Sequence, residues 1–387
     1  MEKTFFDEII PRRGTHCLKY DDCMHRFGTD DVLPLWVADM DFRVAPAITR
    51  VAENIVKHGI YGYHLRTDRY YHAVTHWLQS HHQWKVQPDE IFFTPGVVPA
   101  ISYLIQAFTQ PGDGILIQTP VYYPFFSVIK QNRRKLLTNQ LVEKDNYYSI
   151  DFEDFEQKVA QAKVFILCSP HNPVSRVWTE EELKRMAEIC LKHKVLIISD
   201  EIHSDIVFGE RRHRPLATLS DVVKENIITC HSPSKTFNLA GLGLGYVIIQ
   251  NAALRQRFHD YYAVFYADGL NVFAYETMAA AYMESEEWYQ AMLQYVYDNY
   301  LFLKAYLAKE LPFIRHTPLE ATYLVWLDFR ALKLSDAKLR KAVIERAKLG
   351  INDGPTFGPG GSGFQRINIA CPKAILAEAL HRLKQLT

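Results

Sequence analysis

A lysine standing just past a short β-branched run is the first feature with chemistry in it. Asn226-Ile227-Ile228-Thr229-Cys230 reads as a buried strand, and His231-Ser232-Pro233-Ser234-Lys235-Thr236-Phe237-Asn238-Leu239-Ala240-Gly241 follows it. The C-terminal edge of an α/β sheet is where ligands sit, so Lys235 has a place to work. There it can form a Schiff base with pyridoxal phosphate (PLP), with Ser232 and Ser234 reaching the phosphate. Taken alone, the stretch reads equally as a surface lysine in a polar loop.

Two further strand ends deliver polar groups. Asn172 follows the apolar run Val164-Phe165-Ile166-Leu167-Cys168, and Asp200 follows Val195-Leu196-Ile197-Ile198-Ser199. PLP chemistry needs a carboxylate facing the pyridine nitrogen, because the negative charge keeps that nitrogen protonated and the ring able to accept electrons. Asp200 supplies it, and Asn172 can donate to the ring's phenolate oxygen. Asp200 by itself could be a helix cap; the other two groups weaken that reading. Free N–H groups at Val97 and Val98, opening an apolar helix after Pro95-Gly96, make an anion site for the phosphate. Tyr122, just past another strand, is placed to stack on the ring, although Tyr122 and Tyr123 also read as packing residues.

Positioning these groups requires strands alternating with helices. Expected strands are Ile91–Thr94, Ile115–Gln118, Leu136–Val142, 164–168, 195–199, 226–230 and 245–249. Between them fall helices from about Tyr70 to His82, Val97 to Phe108, up to Gln131, Ile150 to Ala162, and, behind the capping box Thr179/Glu182, up to His193. That alternation indicates an α/β fold with a large, doubly wound, mostly parallel sheet. Before it come an irregular arm, with the strand-like piece Leu35–Phe42, and a helix from Pro46 to His58. After Leu254 the pattern changes to long helices up to about Glu310, a strand at 322–327, a helix at 335–349 and a last strand, Arg366–Ile369. These imply a smaller α+β domain. The division is an N-terminal arm (1–49) contributing to the small domain, a large PLP-binding domain (50–285) and a small C-terminal domain (286–387).

Bulk properties exclude several classes. The 387 residues carry zero formal net charge, so no basic footprint points to nucleic acid or anionic lipid. No apolar run is long enough to cross a bilayer, and Met1-Glu2-Lys3-Thr4 does not open a signal peptide. Six scattered cysteines form no C-x-x-C pair, which fits a reducing cytoplasm and argues against zinc.

These residues carry a resemblance. The chain resembles the fold-type-I PLP enzymes of the class I/II aminotransferase superfamily, and is most similar to the MalY/PatB family of cystathionine β-lyases. The stretches concerned are Leu35-Trp36-Val37-Ala38-Asp39-Met40-Asp41-Phe42, Pro170-His171-Asn172-Pro173, Asp200-Glu201-Ile202-His203, Ser232–Asn238 and Arg366-Ile367-Asn368. The resemblance implies Lys235 as the Schiff-base lysine, Asp200 at the pyridinium, Asn172 at the ring oxygen and Tyr122 in the stack. It also implies Arg366 on the substrate carboxylate, with Asn172 and Tyr123 beside the substrate. Two departures from aminotransferases fit the lyases better. His203 replaces a tyrosine that donates to the ring oxygen, and Gly241-Leu242-Gly243-Leu244-Gly245 lacks a phosphate-binding arginine. The phosphate is then left to serines, helix N–H groups and Tyr63 (or Tyr61) of a neighbouring subunit, which implies a homodimer with composite sites. Ser175 stands where the family usually has glycine.

The implied activity is β-elimination from L-cystathionine, or from cysteine and other S-substituted cysteines, to a thiol, pyruvate and ammonia. An aminotransferase is the alternative, and a regulatory binding module for a transcription factor is an alternative of another class. Two motifs are decoys. Gly358-Pro359-Gly360-Gly361-Ser362-Gly363 fits G-x-G-x-x-G but leads into a strand, so it reads as a mobile loop. His81-His82 and the scattered histidines read as solvated or core residues, with no metal among the expectations.

Overall fold

Seven strands form the sheet that ends at Lys235. The computed structural model describes residues 4–267 and 269–386; Met1–Lys3, part of the start in which no leader is read, lie outside the described residues. Across the sheet the order is Ile91–Thr94, Gly245–Ile248, Ile227–His231, Leu196–Asp200, Val164–Cys168, Gly114–Thr119 and Lys135–Gln140. The five from Ile227–His231 onward run parallel, and Gly245–Ile248 is antiparallel to both its neighbours. Val164–Cys168 is buried along its whole length, as its unbroken apolar run requires when both sheet faces are covered. The register sets Cys168 and Cys230 on either side of Asp200. The chain therefore leaves three adjacent strands at one edge, each just ahead of a polar site residue.

Local chemistry sets most boundaries. Thr179 Oγ1 accepts from Glu182 N (3.2 Å), while Glu182 Oε2 accepts from Thr179 N (2.8 Å), closing the capping box that starts Glu180–Lys192. Gly59, at φ 74°, ends Pro46–His58. Gly245 is needed where its strand passes the helix Val97–Phe108: a Cβ there would lie 2.9 Å from the Gly96 carbonyl carbon.

A second sheet has the order Arg315–His316, Leu324–Asp328, Phe364–Asn368 and Asn352–Asp353, with Arg366 opposite both Trp326 and Asn352. Leu33–Pro34 pairs in parallel with Leu349–Gly350. No described helix is long and apolar enough to cross a membrane.

Three expectations are corrected. Leu35–Phe42 is not a strand: Leu35 alone bonds to strand backbone, at Gly350 and Asn368, and beyond it side chains take up the carbonyls, with Arg366 donating to Trp36 O, Asn368 to Val37 O and Asp39 O, and Asn238 to Met40 O and Phe42 O. The expected strand Leu136–Val142 stops at Gln140, and a hairpin, Val142–Lys144 with Tyr147–Ser149, follows it. Its turn residues Asp145 and Asn146 both have positive φ, the conformation that a two-residue hairpin turn needs. The expected helix 335–349 ends at Glu345, and Leu349–Gly350 is drawn instead into pairing with the arm.

The arm is held by a buried charge cluster. Lys19 is fully buried, with Nζ 2.9 Å from Asp41 and 3.0 Å from Asp39, and Arg12 pairs with the same two carboxylates at 2.6 Å. Burial opposes the Lys19 charge, but Asp41 and Asp39 more than offset it and raise its pKa. Lys19→Met should therefore leave two carboxylates sharing one cation and destabilise the protein by about 3–5 kcal/mol. Urea denaturation checks this; a loss below about 1 kcal/mol would mean that Arg12 alone suffices.

Candidate active site

One cleft gathers groups from five places in the chain. Its walls include Val97 and Val98, Tyr122, Asn172, Asp200, His203, Ser234 and Lys235. Its cavity measures about 200 Å³ and opens to solvent.

Lys235 is partly buried, and its Nζ donates to Ala38 O (2.6 Å), which also accepts from Tyr323 OH (2.9 Å). Burial, together with nearby Arg366, lowers the Lys235 pKa to about 8 against the opposing pull of Asp39 and Asp200. Asp200 is buried and accepts from Ile202 N (3.2 Å). Burial raises its pKa to about 7, although Ile202 N–H and Lys235 pull it down. A carboxylate in that state lacks a close cation and is suited to a protonated ring nitrogen.

Arg366 presents the opposite deficit. It is buried, and Nη1 donates to Asn172 Oδ1 (2.9 Å), Nη2 to Trp36 O (2.8 Å) and Asn352 Oδ1 (2.7 Å). Its guanidinium lies over the Phe357 ring, 4.9 Å from the centroid, and Nε has no hydrogen-bond partner. No carboxylate among the described residues pairs with it, and burial lowers its pKa to about 10. A buried guanidinium held only by neutral oxygens is a site for an anion. Because Arg366 occupies Asn172 Oδ1, the amide nitrogen of Asn172 is the end left to donate.

At the end of the cleft where a phosphate is expected, the expected residues are found only in part. Gly96, at φ 140°, precedes the helix whose first N–H groups belong to Val97 and Val98. Ser234 lines the cleft, but Ser232 is fully buried behind it: its Oγ donates to Leu244 O (2.6 Å) and lies 2.8 Å from Ser234 Oγ. Ser232 therefore supports Ser234 rather than facing the cleft. Gly243, at the position of the missing arginine, also lines this end.

The other expected residues divide between the cleft and its surroundings. Tyr122 is on the wall, tied through its N–H to Asn172 O (3.0 Å). Tyr123 is not; its ring meets Phe357 edge-on at 5.9 Å, and it is an electrostatic neighbour of Arg366. Tyr63 is fully exposed within the segment 59–67, outside this cleft, and Tyr61 packs on Phe273. His203 lines the cleft with Nδ1 unpartnered, and burial drives its pKa well down, keeping it neutral. The glycine-rich decoy is packed rather than loose: a Cβ on Gly358 would lie 2.5 Å from Phe126, and one on Gly361 would meet the Gly354 carbonyl. His82, Asp205 and His231 cluster, but their ligand atoms are committed to hydrogen bonds. His82 Nε2 bonds Asp205 (2.7 Å), and His231 bonds Ser204 and Tyr246. Sequence reasoning missed the Ala38 carbonyl, Tyr323 and Asn352. Only the proximity of Ala38 to Asp39 and Asp41 hinted that the arm reaches this cleft.

An open α/β sheet delivering a lysine, a buried carboxylate and an asparagine to one edge is the architecture of the fold-type-I enzymes. Residues 36–383 match the family described as aminotransferase class I and II. The chain belongs to that family, in its MalY/PatB branch. It is 43% identical to cystathionine β-lyase PatB of Bacillus subtilis (strain 168) over 381 residues, covering 98% of each chain. Among solved structures it is similar to cystalysin from Treponema denticola, which contains pyridoxal 5′-phosphate (36% identity, 98% of each chain, TM-score 0.95). The PLP-bound C–S lyase from Staphylococcus hominis is similar too (32% identity, 98% of this chain and 97% of that one, TM-score 0.91).

The high Asp200 pKa has a signed consequence. With its ordinary value at 3.8 and the folded value at about 7, the ligand-free folded protein binds the extra proton across that window. This group's contribution to stability therefore falls as pH rises from about 4 to about 7. Asp200→Asn should stabilise ligand-free protein at pH 8 by up to about 4 kcal/mol and change little at pH 4. Thermal melts at the two pH values check it; a pH-independent difference would show that Asp200 is solvated or paired.

Proposed function

We propose that the protein is a PLP-dependent C–S β-lyase that cleaves L-cystathionine, and cysteine or other S-substituted cysteines, to a thiol, pyruvate and ammonia. The observation that carries the reading is a pair of unmatched buried groups sharing one cleft with Lys235: Asp200 without a cation and Arg366 without an anion. A protonated pyridine nitrogen suits the first and an amino-acid carboxylate the second. The preference for elimination over amino transfer rests on the relatives, since PatB is named a cystathionine β-lyase and the Staphylococcus hominis protein a C–S lyase.

PLP, when bound, supplies an electron sink for the carbanion that forms at the substrate Cα. Asp200 would keep a proton on its ring nitrogen, Asn172 would donate to its ring oxygen, and Tyr122 would cover one ring face. His203 would face that oxygen as a neutral imidazole, and Val97, Val98 and Ser234 would donate to the phosphate. Arg366 takes the α-carboxylate, with Asn172 and Tyr123 shaping that end. Lys235 Nζ takes the Cα proton; its pKa near 8 leaves a neutral fraction available. The Cβ–S bond then breaks, sulfur leaves with the bonding pair as thiolate, and the three-carbon remainder hydrolyses to pyruvate and ammonia.

The same reading includes a homodimer. Tyr63, Ile60 and Leu65 are all strongly exposed along one short segment, an apolar surface that a second copy would cover. Tyr63 would then enter the neighbour's phosphate site. Six free cysteines support a cytoplasmic location. The pairing of Leu33–Pro34 with Leu349–Gly350 supports assigning the arm 1–49 to the small domain, beside a large domain of 50–285 and a small one of 286–387.

Wild-type protein with cystathionine should yield equimolar pyruvate and homocysteine, and Lys235→Ala should yield neither. A keto acid with stoichiometric amino transfer would replace this reading with an aminotransferase. Arg366→Lys keeps the charge and loses the fork, so it should raise KM, lower kcat and reduce kcat/KM about 100-fold; wild-type kinetics would remove Arg366 from the carboxylate. For the assembly, refolding Lys235→Ala together with Tyr63→Ala should give mixed dimers with one intact site and partly restored activity. Mixing without recovery would confine each site to one chain.

A further inference from the structure

The turn that carries Asn172 is closed by its own backbone. Ser175 N donates to His171 O (2.7 Å), and His171 N donates to Arg176 O (2.8 Å). Within it Ser175 adopts φ 60°, the left-handed region in which a side chain crowds the backbone and glycine does not. A serine there is strained unless its side chain gives something back. Its Oγ donates to Leu324 O at 2.6 Å, a fully buried bond, and its own carbonyl accepts from Glu320 N (3.2 Å) and Ala321 N (3.1 Å). One residue thus makes three bonds to the segment 320–324.

That segment leads straight to the carboxylate site. Leu324 opens the strand Leu324–Asp328, whose Trp326 lies opposite Arg366, and Arg366 in turn donates to Asn172 Oδ1. Asn172, Ser175, Leu324, Trp326 and Arg366 therefore form a closed circuit in which Asn172 and Arg366 are joined directly on one side and through the Ser175 hydroxyl on the other. We propose that Ser175 is a positioning residue: its hydroxyl locks the Asn172 turn onto the sheet that bears Arg366 and so sets the spacing of the two groups that receive the substrate carboxylate. The inference rests on the carboxylate role given to Arg366 under the proposed function. A glycine at this position would relieve the backbone but leave the turn held to that sheet by backbone bonds, Arg366 and the Glu320 carboxylate, which accepts from Arg176 Nε (3.1 Å) and Val177 N (2.8 Å).

Two substitutions separate the lock from simple packing. Ser175→Ala keeps the left-handed strain and loses the hydroxyl bond; Ser175→Gly loses both. The lock predicts that both variants raise KM for cystathionine about tenfold with kcat within about twofold, the size of one lost buried hydrogen bond. It also predicts faster hydrogen exchange at the Glu320 and Ala321 amides in both, with the glycine variant melting closer to wild type. A residue that only packs would lower the melting temperature of Ser175→Ala and leave KM alone. Unchanged KM in both variants, or unchanged exchange in both, overturns the lock. If Ser175→Ala fails to fold, the glycine variant carries both measurements. If wild type cleaves no sulfur amino acid, the proposed function falls, and amide exchange alone then decides the lock.

Discussion

The structure depends on how seven residues of irregular backbone, Trp36–Phe42, satisfy their carbonyl oxygens. Buried carbonyls without partners are costly, and no strand lies beside this stretch to pair with it. Side chains do so instead, and they come from both halves of the chain. Lys235, Asn238 and Lys19 reach Ala38, Met40, Phe42 and Asp39, while Arg366, Asn368 and Tyr323 reach Trp36, Val37, Asp39 and Ala38. The loop is a shared ligand of the two sheets. Its side chains matter less to this than the donors around it, apart from Asp39 and Asp41, whose charges hold Arg12 and Lys19 in place.

The reactivity of the cleft follows from burial acting on groups of both signs. Desolvation raises Asp200 and lowers Lys235 and Arg366, each toward its neutral form. Asp200 feels this strongly because its neighbours in the sheet, Cys168 and Cys230, are thiols that offer it little hydrogen bonding. The sheet thus prepares both an acid that seeks a cation and an amine that readily gives up its proton. Arg366 remains charged despite the penalty because four neutral contacts surround it: Asn172, Trp36, Asn352 and the Phe357 ring.

Legibility in the sequence followed the range of the interactions. The strands Ile91–Thr94 and Val164–Cys168 and the helix Val97–Phe108 were readable residue for residue, because apolar runs and helix-start signals are local. Lys235, Asp200 and Asn172 were readable as a set, since each follows such a strand. The piece Leu35–Phe42 is strand-like in sequence but irregular in the fold, because most of its partners lie some 200 to 330 residues away and use side chains. Ser232 looked equivalent to Ser234, two positions on, but Leu244 O draws its hydroxyl away from the cleft. The hairpin around Asp145–Asn146 has strands of three residues each, too short to show a period-2 pattern in the sequence. The strain at Ser175 was invisible, because a sequence reports neither φ nor the carbonyl that its hydroxyl meets.

The distances along the chain also bear on the order in which the protein can be made. The arm is synthesised first, yet most of the donors to Trp36–Phe42 emerge far later: Asn238 some 198 residues after Met40, and Arg366 some 330 residues after Trp36. While the ribosome is still extending the chain, Trp36–Phe42 must stay solvated or find substitute partners. The large sheet can assemble from nearby strands in the meantime. Closure of the cleft is therefore a late step, completed only once residue 368 has left the exit tunnel. A polypeptide truncated before that point can hold Lys235, Asp200 and Asn172 on a well-formed sheet and still lack a finished site.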